Sequence, residues 1–277
     1  MYLEVPKSSS YCHTVYFNIF FASQIHTNLY KANYYLYCSY SNIQHEKLFS
    51  LLLLLSIVSI PENNAQSLNA KADLKAAAVE NQVIEWRWHF YENPKLLNRE
   101  SETAKQIAEE PTAMVLGVDT RIAKTGVIGV LDTTKPGPTI AMRADIDGLP
   151  VAERDDLPFK STKRTTFLES DVSEMHACGH DTHIAMLLGA TKILTSMKSE
   201  LTGKFVFIFQ PEEEGAPPEE EEKEEEEEEE EGDAKLMVKE SIINTYGIDV
   251  FFGQLISSTL EAGKIRYKVG GIMAASS

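Results

Sequence analysis

Nine consecutive residues, Met175-His176-Ala177-Cys178-Gly179-His180-Asp181-Thr182-His183, gather three histidines, a thiol and a carboxylate. Imidazole nitrogen and thiolate sulfur are soft to borderline donors that suit zinc, manganese or another transition metal. In an extended segment residues two apart point the same way, which places Cys178 and His180 to grip one side of an ion. A polar loop without ligands is the other reading open to these residues. Cys12 and Cys38 lie far upstream, so Cys178 has no disulfide partner in the body of the chain and reads as a ligand or reactive thiol.

Two carboxylate clusters accompany it. Arg143-Ala144-Asp145-Ile146-Asp147-Gly148-Leu149-Pro150 sets two aspartates two residues apart, and Gln210-Pro211-Glu212-Glu213-Glu214-Gly215 supplies consecutive glutamates. A metal hydrolase needs ligands for its ion and a free carboxylate to take a proton from water. Adjacent glutamates can divide those tasks. Solvated surface glutamates are the plain alternative.

The elements around these clusters alternate. Asp73 to Tyr91 has helical spacing, with Leu74, Ala77, Ala78, Ile84 and Trp88 among its apolar positions, and Asn93-Pro94 ends it. A second helix is expected from Ser101 to Glu110, stopped by Pro111. Gly126 to Leu131 and Thr139 to Arg143 read as strands around Lys135-Pro136-Gly137-Pro138. Ile184 to Lys198 reads as a helix, and Lys204 to Phe209 as a strand covered on both faces. Met237 to Thr245 is expected as a helix and Asp249 to Ile256 as a strand. The expectation is an α/β domain, a layered and mostly parallel sheet flanked by helices. In such sheets chemistry gathers at the carboxyl ends of strands, where the three clusters fall.

In this order the clusters resemble the plant auxin (indole-3-acetic acid)–amino acid conjugate hydrolases, a branch of the aminoacylase/carboxypeptidase-type metallopeptidases. Met142 to Pro150 is similar to that family's Met-Arg-Ala-Asp-Met-Asp-Ala-Leu-Pro. Met175 to His183 differs from Met-His-Ala-Cys-Gly-His-Asp-Ala-His only at Thr182, and Phe209 to Gly215 carries Glu212 for an alanine. The resemblance implies Cys178, His180 and Glu214 as metal ligands and Glu213 as general base. It sets Asp145 and Asp147 beside the site, with His183 at the start of a helix, supporting the ligands or simply packed. It further implies divalent ions, typically manganese with zinc also compatible, and hydrolysis of an amide bond in a small-molecule amino-acid conjugate. The branch of the family is expected to release a free acid and an amino acid.

The departures are specific. Where the family has Phe-Gly-Leu-His-Val, with a metal-binding histidine, this chain has Phe252-Gly253-Gln254-Leu255-Ile256. Leu255 cannot coordinate a metal, and Gln254 points to the opposite face of an extended strand. Tyr91 and Lys95 stand where the family often has histidine and glutamate. Residues Arg164 to Glu174 lengthen the approach to the Cys/His segment. Residues 271–277 resemble the start of the family's lid domain, which is expected to be absent together with a further histidine ligand. The alternative reading is therefore a catalytically inactive family member that binds metal or pairs with a relative.

Charge and the front of the chain complete the picture. The net charge of −16 is concentrated in Glu219 to Glu231, twelve Glu and one Lys, inside an acidic low-complexity insertion at 216–231. The remainder is only mildly acidic, which argues against a basic nucleic-acid-binding surface. The tract reads as a solvated loop, with attraction of divalent ions as the sharper alternative. Residues 1–47 read as an atypical N-terminal extension without clear periodicity. Segment 48–70, with Lys47 before the apolar run Leu51 to Ile60, reads as a signal peptide, cleaved near Ala65 or Ala70. That run falls short of the roughly 20 residues a permanent span needs. The expected route is secretory, with the endoplasmic reticulum lumen as a candidate destination. Residues 71–270 are expected to hold the partial metallohydrolase domain, and the residues leave the oligomeric state open.

Overall fold

The computed structural model describes residues 2–4, 15–21, 62–114, 116–215, 234–261 and 263–269. The chain divides into two units, one formed by Met1–Phe21 with Ala76–Ser277 and the other by Ala22–Lys75. The apolar run Leu51 to Ile60, the acidic tract and residues 271–277 lie outside the described residues.

In chain order the elements are β1 (Tyr2–Glu4), β2 (Val15–Phe21), α1 (Glu62–Glu92), α2 (Ser101–Ala113), β3 (Gly117–Ile122), β4 (Gly126–Asp132) and β5 (Thr139–Asp145). They continue with β6 (Arg164–Phe167), β7 (Ser170–Ser173), α3 (His180–Ser196), β8 (Lys204–Gln210), α4 (Ala234–Lys239), α5 (Ile242–Tyr246), β9 (Val250–Ile256) and β10 (Lys264–Val269). Eight strands form one sheet in the order β1-β10-β2-β9-β5-β8-β4-β3, and β6 and β7 form a separate hairpin. The strands β9, β5 and β8 run parallel and set the site. On the far side, β4 joins β8 antiparallel and β3 closes the edge.

Alternation along β8 explains the layering. Phe205, Phe207 and Phe209 face a core shared with Trp86 and Phe90 of α1, Ile107 of α2 and Ile184, Leu187 and Leu188 of α3. Val206 and Ile208 face the opposite side, against Leu236, Met237 and Ile242 of α4 and α5. Both faces of the strand are buried, as its continuous apolar run requires. The layered α/β architecture expected from the alternating elements is the one observed.

Several local expectations are corrected. The helix expected to stop at Pro111 continues to Ala113, with Pro111 buried inside it and packed over Gly129 of β4. A proline in the last turn removes one backbone donor without preventing a final turn, and Met114 N–H closes it on Glu110 and Pro111 oxygens. The segment Met237 to Thr245 is not one helix. Ser241 takes a left-handed φ of 58° and breaks it into α4 and α5. On α1 the buried stripe is Val83, Trp86 and Phe90 rather than Leu74 and Trp88, which are 74% and 45% exposed. Trp88 stacks on Phe159 at 5.2 Å between ring centres instead. The lengthened approach at Arg164 to Glu174 is the β6–β7 hairpin, tied by the Arg164–Asp171 ion pair.

The front of the chain is also more ordered in its pairing than its composition suggests. β2 lies antiparallel along β9, and β10 runs parallel to β2. The run Val15 to Phe21 is rich in β-branched and aromatic residues, and the outer edge of β9 offers it a row of backbone partners.

Candidate metal centre

Gly179 sets the local geometry. Its φ of 84° lies in the left-handed region, and a Cβ there would stand 2.1 Å from Ile256 Cδ1. This turn lets Cys178 end the incoming loop while His180 opens α3. Cys178 and His180 therefore converge across a turn, not along an extended segment as their spacing alone suggested. Cys178 Sγ, a ring nitrogen of His180 and a carboxylate oxygen of Glu214 lie within 4.8 Å of one another.

The orientation of His180 is fixed from behind. Its Nδ1 meets Asp147 Oδ1 at 3.0 Å and the Asp147 backbone oxygen at 2.9 Å. Both partners are acceptors, so Nδ1 carries the proton and Nε2 is the available donor atom. Around Nε2 stand Asp145 at 3.6 Å, Glu213 at 3.7 Å and Glu214 at 3.8 Å. The other Asp147 oxygen accepts the Glu214 backbone N–H at 3.1 Å. One buried carboxylate thus holds a histidine and a glutamate from different elements in a common frame.

A divalent cation fits this donor set. A thiol, an imidazole nitrogen and three carboxylates converge, with Arg143 on Asp145 and Glu213 as the neighbouring protein cation, and thiol, imidazole and carboxylate together are a donor set that a divalent ion accepts. The titration behaviour agrees. Burial alone would lower the His180 pKa, but Asp145, Asp147 and Glu213 outweigh it and raise it to about 9. Cys178 is pushed up to about 12, by burial first and then by the neighbouring Glu214 and Glu213. Burial also raises Glu213, which Arg143 partly offsets.

His183 belongs to a different arrangement. Its Nδ1 donates to Asp145 Oδ1 at 2.5 Å, and its Nε2 accepts the Ile256 backbone N–H at 2.9 Å. Both ring nitrogens are engaged, so although Asp145, His180 and His183 are close enough to hold an ion, His183 acts as a clamp between α3, β5 and β9. It lies one turn inside α3 and not at its start. Burial favours a neutral Asp145, but Arg143, His180 and His183 overcome this and hold its carboxyl well below the usual range.

Gln254 donates to the backbone oxygen of His183 at 2.7 Å. It is on the α3 side of the sheet, as its alternation with Leu255 requires. Leu255 shares the opposite face with Phe251, which packs among α4 and α5 residues. No side chain of β9 replaces the missing imidazole among the described residues near His180.

Two further groups, to which no motif assigns a role, take part in the site. Arg143 pairs with Asp145 at 2.8 Å, donates to Gln210 at 2.9 Å and stands 3.9 Å from Glu213. Its place two residues before Asp145 on one strand face was a usable signal. Glu100 is fully buried and its carboxylate accepts no N–H of α2, although it occupies the N-cap position. No spacing pattern marks a residue that reaches the site's loop from 112 positions away. Tyr91, standing where the resembled family often has histidine, hydrogen-bonds Glu153 instead.

The chain is similar to known proteins over the region that holds these residues. Residues 141–273 match the model of peptidase family M20/M25/M40. A thermostable carboxypeptidase 2 of Saccharolobus solfataricus is 37% identical over 205 residues, covering 74% of this chain and 46% of that protein. The IAA-amino acid hydrolase ILR1-like 2 of Arabidopsis thaliana is 34% identical over 232 residues, covering 81% and 46%. The crystal structure of Bacillus subtilis YxeP, a dinuclear metal binding peptidase, has a TM-score of 0.50 and 34% identity, covering 61% of this chain and 41% of that one. The chain spans a little under half the length of the curated relatives it matches. Over residues 141–273, with the three clusters in place, the chain is similar to the peptidases of family M20/M25/M40.

Proposed function

We propose that this chain carries the metal site of an amidohydrolase that cleaves the amide bond of an amino-acid conjugate, the auxin type being the substrate class. The observation that carries the reading is the convergence of Cys178, His180 and Glu214 on one point, with Glu213 beside it. The three motifs resemble those of the plant conjugate hydrolases, and one similar protein bears such a name. Cys178, His180 and Glu214 would hold a divalent cation, manganese by the resemblance and zinc by ligand softness alone. When bound, such a cation supplies Lewis acidity that polarises a carbonyl and acidifies water.

The chain's own residues do the rest. Glu213, more basic than an ordinary glutamate because of its burial, takes one proton from the attacking water as its oxygen bonds to the amide carbon. It returns that proton to the leaving nitrogen as the C–N bond breaks, giving a carboxylic acid and a free amine. Arg143 holds Asp145 and flanks Glu213, limiting where the base can swing. Asp147 keeps His180 in the tautomer that presents Nε2.

Leu255 favours a second reading, a family member that binds metal without turning over. Hydrolysis of indole-3-acetyl-amino acids by the purified chain with added manganese separates the two. Turnover abolished by Glu213→Gln supports the enzyme; metal binding without turnover supports the second. For localisation we infer a secretory route from the apolar run Leu51 to Ile60, in a chain where no described helix is long and apolar enough to cross a membrane. Mass spectrometry of the native N-terminus tests it, and peptides from residues 1–47 in the mature protein would contradict it.

A further inference from the structure

We propose that Glu100 is a positioning residue for the turn that presents Glu213 and Glu214, acting through the backbone of Glu212. Glu100 opens α2, where an acidic residue would ordinarily stay in water or cap the helix with its side chain. Here it makes no side-chain cap and is 0% exposed. Its Oε1 accepts the Glu212 N–H at 3.2 Å, and its Oε2 accepts the Thr125 hydroxyl at 2.8 Å. Carboxylates are buried at a cost, so one retained in a core with two donors aimed at it is fixing something.

What it fixes is an improbable piece of backbone. Glu212 has φ of 49°, in the left-handed region that a side chain other than glycine rarely adopts. Pro211 before it has no N–H to contribute. The turn is anchored at three points. Ile146 N–H bonds the Gln210 oxygen at 3.0 Å, Glu214 N–H bonds Asp147, and Glu212 N–H bonds Glu100. Removing the middle anchor loosens the backbone of residues 211–213 between the two outer anchors, so that Glu213 shifts relative to His180. Thr125 is itself held at the β3–β4 turn, where Glu240 accepts the neighbouring Ala123 N–H at 2.9 Å, so the anchor reaches back to fixed structure.

This inference rests on the metal-site reading for its consequence, but its structural half does not. The test uses the full chain, metal-free, and measures hydrogen exchange of the peptide spanning residues 210–215 in Glu100→Ala and Glu100→Gln. Gln keeps an oxygen for the Glu212 N–H and can turn its amide toward Thr125. The expected result is exchange about tenfold faster in E100A within this peptide, with β4 unchanged, and near-native exchange in E100Q. Manganese affinity measured by calorimetry is expected to fall about 10–100-fold in E100A and to be retained in E100Q. Unchanged exchange in the 210–215 peptide of E100A overturns the proposal. Should E100A not fold, Glu100→Asp, which withdraws the carboxylate by one methylene, takes its place with the same readouts. A wild-type chain that binds no manganese defeats the metal-site reading, while the metal-free exchange comparison still decides the role of Glu100.

Discussion

Asp147 and His180 are joined twice, through the Asp147 carboxylate at 3.0 Å and its backbone oxygen at 2.9 Å, and both contacts fall on the same ring nitrogen. That leaves one tautomer and one usable lone pair. Because the second Asp147 oxygen holds the Glu214 N–H, Asp147→Asn would place an amide group against a donor on one side or the other. Manganese affinity in D147N should fall about 10–100-fold, as measured by calorimetry. Affinity within about twofold of wild type would show that the clamp is dispensable.

The pH dependence of metal uptake follows from the same geometry. In the metal-free protein His180 titrates near 9 and Cys178 near 12, both above their ordinary values. Both therefore carry protons at neutral pH, and a cation must displace them. Apparent affinity should rise with pH between about 6 and 9, with release of roughly two protons per ion. Calorimetry in buffers of different ionisation enthalpy counts these protons. A pH-independent affinity would remove Cys178 and His180 from the ligand set.

Leu255 tests the orientation of β9. It lies on the sheet face away from Gln254 and α3, at the position where resembled sequences carry a metal-binding histidine. Because that face is turned away from His180, Leu255→His should leave manganese affinity within about twofold of wild type, as measured by calorimetry. A gain of about tenfold or more in L255H would contradict this orientation of β9.

Glu100 makes stability itself depend on pH. Burial, only partly offset by its hydrogen bonds, raises its folded pKa from 4.5 to about 7. The folded state then holds a proton that the unfolded chain has released, so stability falls as pH rises from about 4.5 through 7 and is level above that. The loss attributable to this group is about 3 kcal/mol at most. Urea denaturation of the metal-free protein at pH 5 and pH 8 should show Glu100→Gln relieved of that loss relative to wild type. Parallel pH trends in the two proteins would contradict it.

Much of the site was legible because its residues are close in sequence. The Cys178–His180 pair, Asp145 with Asp147, and Glu213 with Glu214 each sit within three residues of one another, and each follows a strand or loop whose apolar pattern was readable. The strands β4, β5, β8 and β9 and the helix α3 were legible for the same reason. What spacing could not show was direction. The turn at Gly179 depends on a backbone angle, the double engagement of His183 depends on β9 arriving beside α3, and Glu100 depends on α2 packing under the Glu212 turn. The break at Ser241 and the continuation through Pro111 are likewise tertiary outcomes that override local propensity.

The most direct test of the account is the metal content of the purified full chain after manganese loading and desalting, alongside Cys178→Ser and Glu214→Ala. About one ion per chain is expected in the wild type, from a single converging donor set, and its loss in both variants while their folded circular dichroism persists. A folded wild-type chain that retains no ion, or variants that retain it equally, would contradict the assignment of Cys178, His180 and Glu214 as a metal centre.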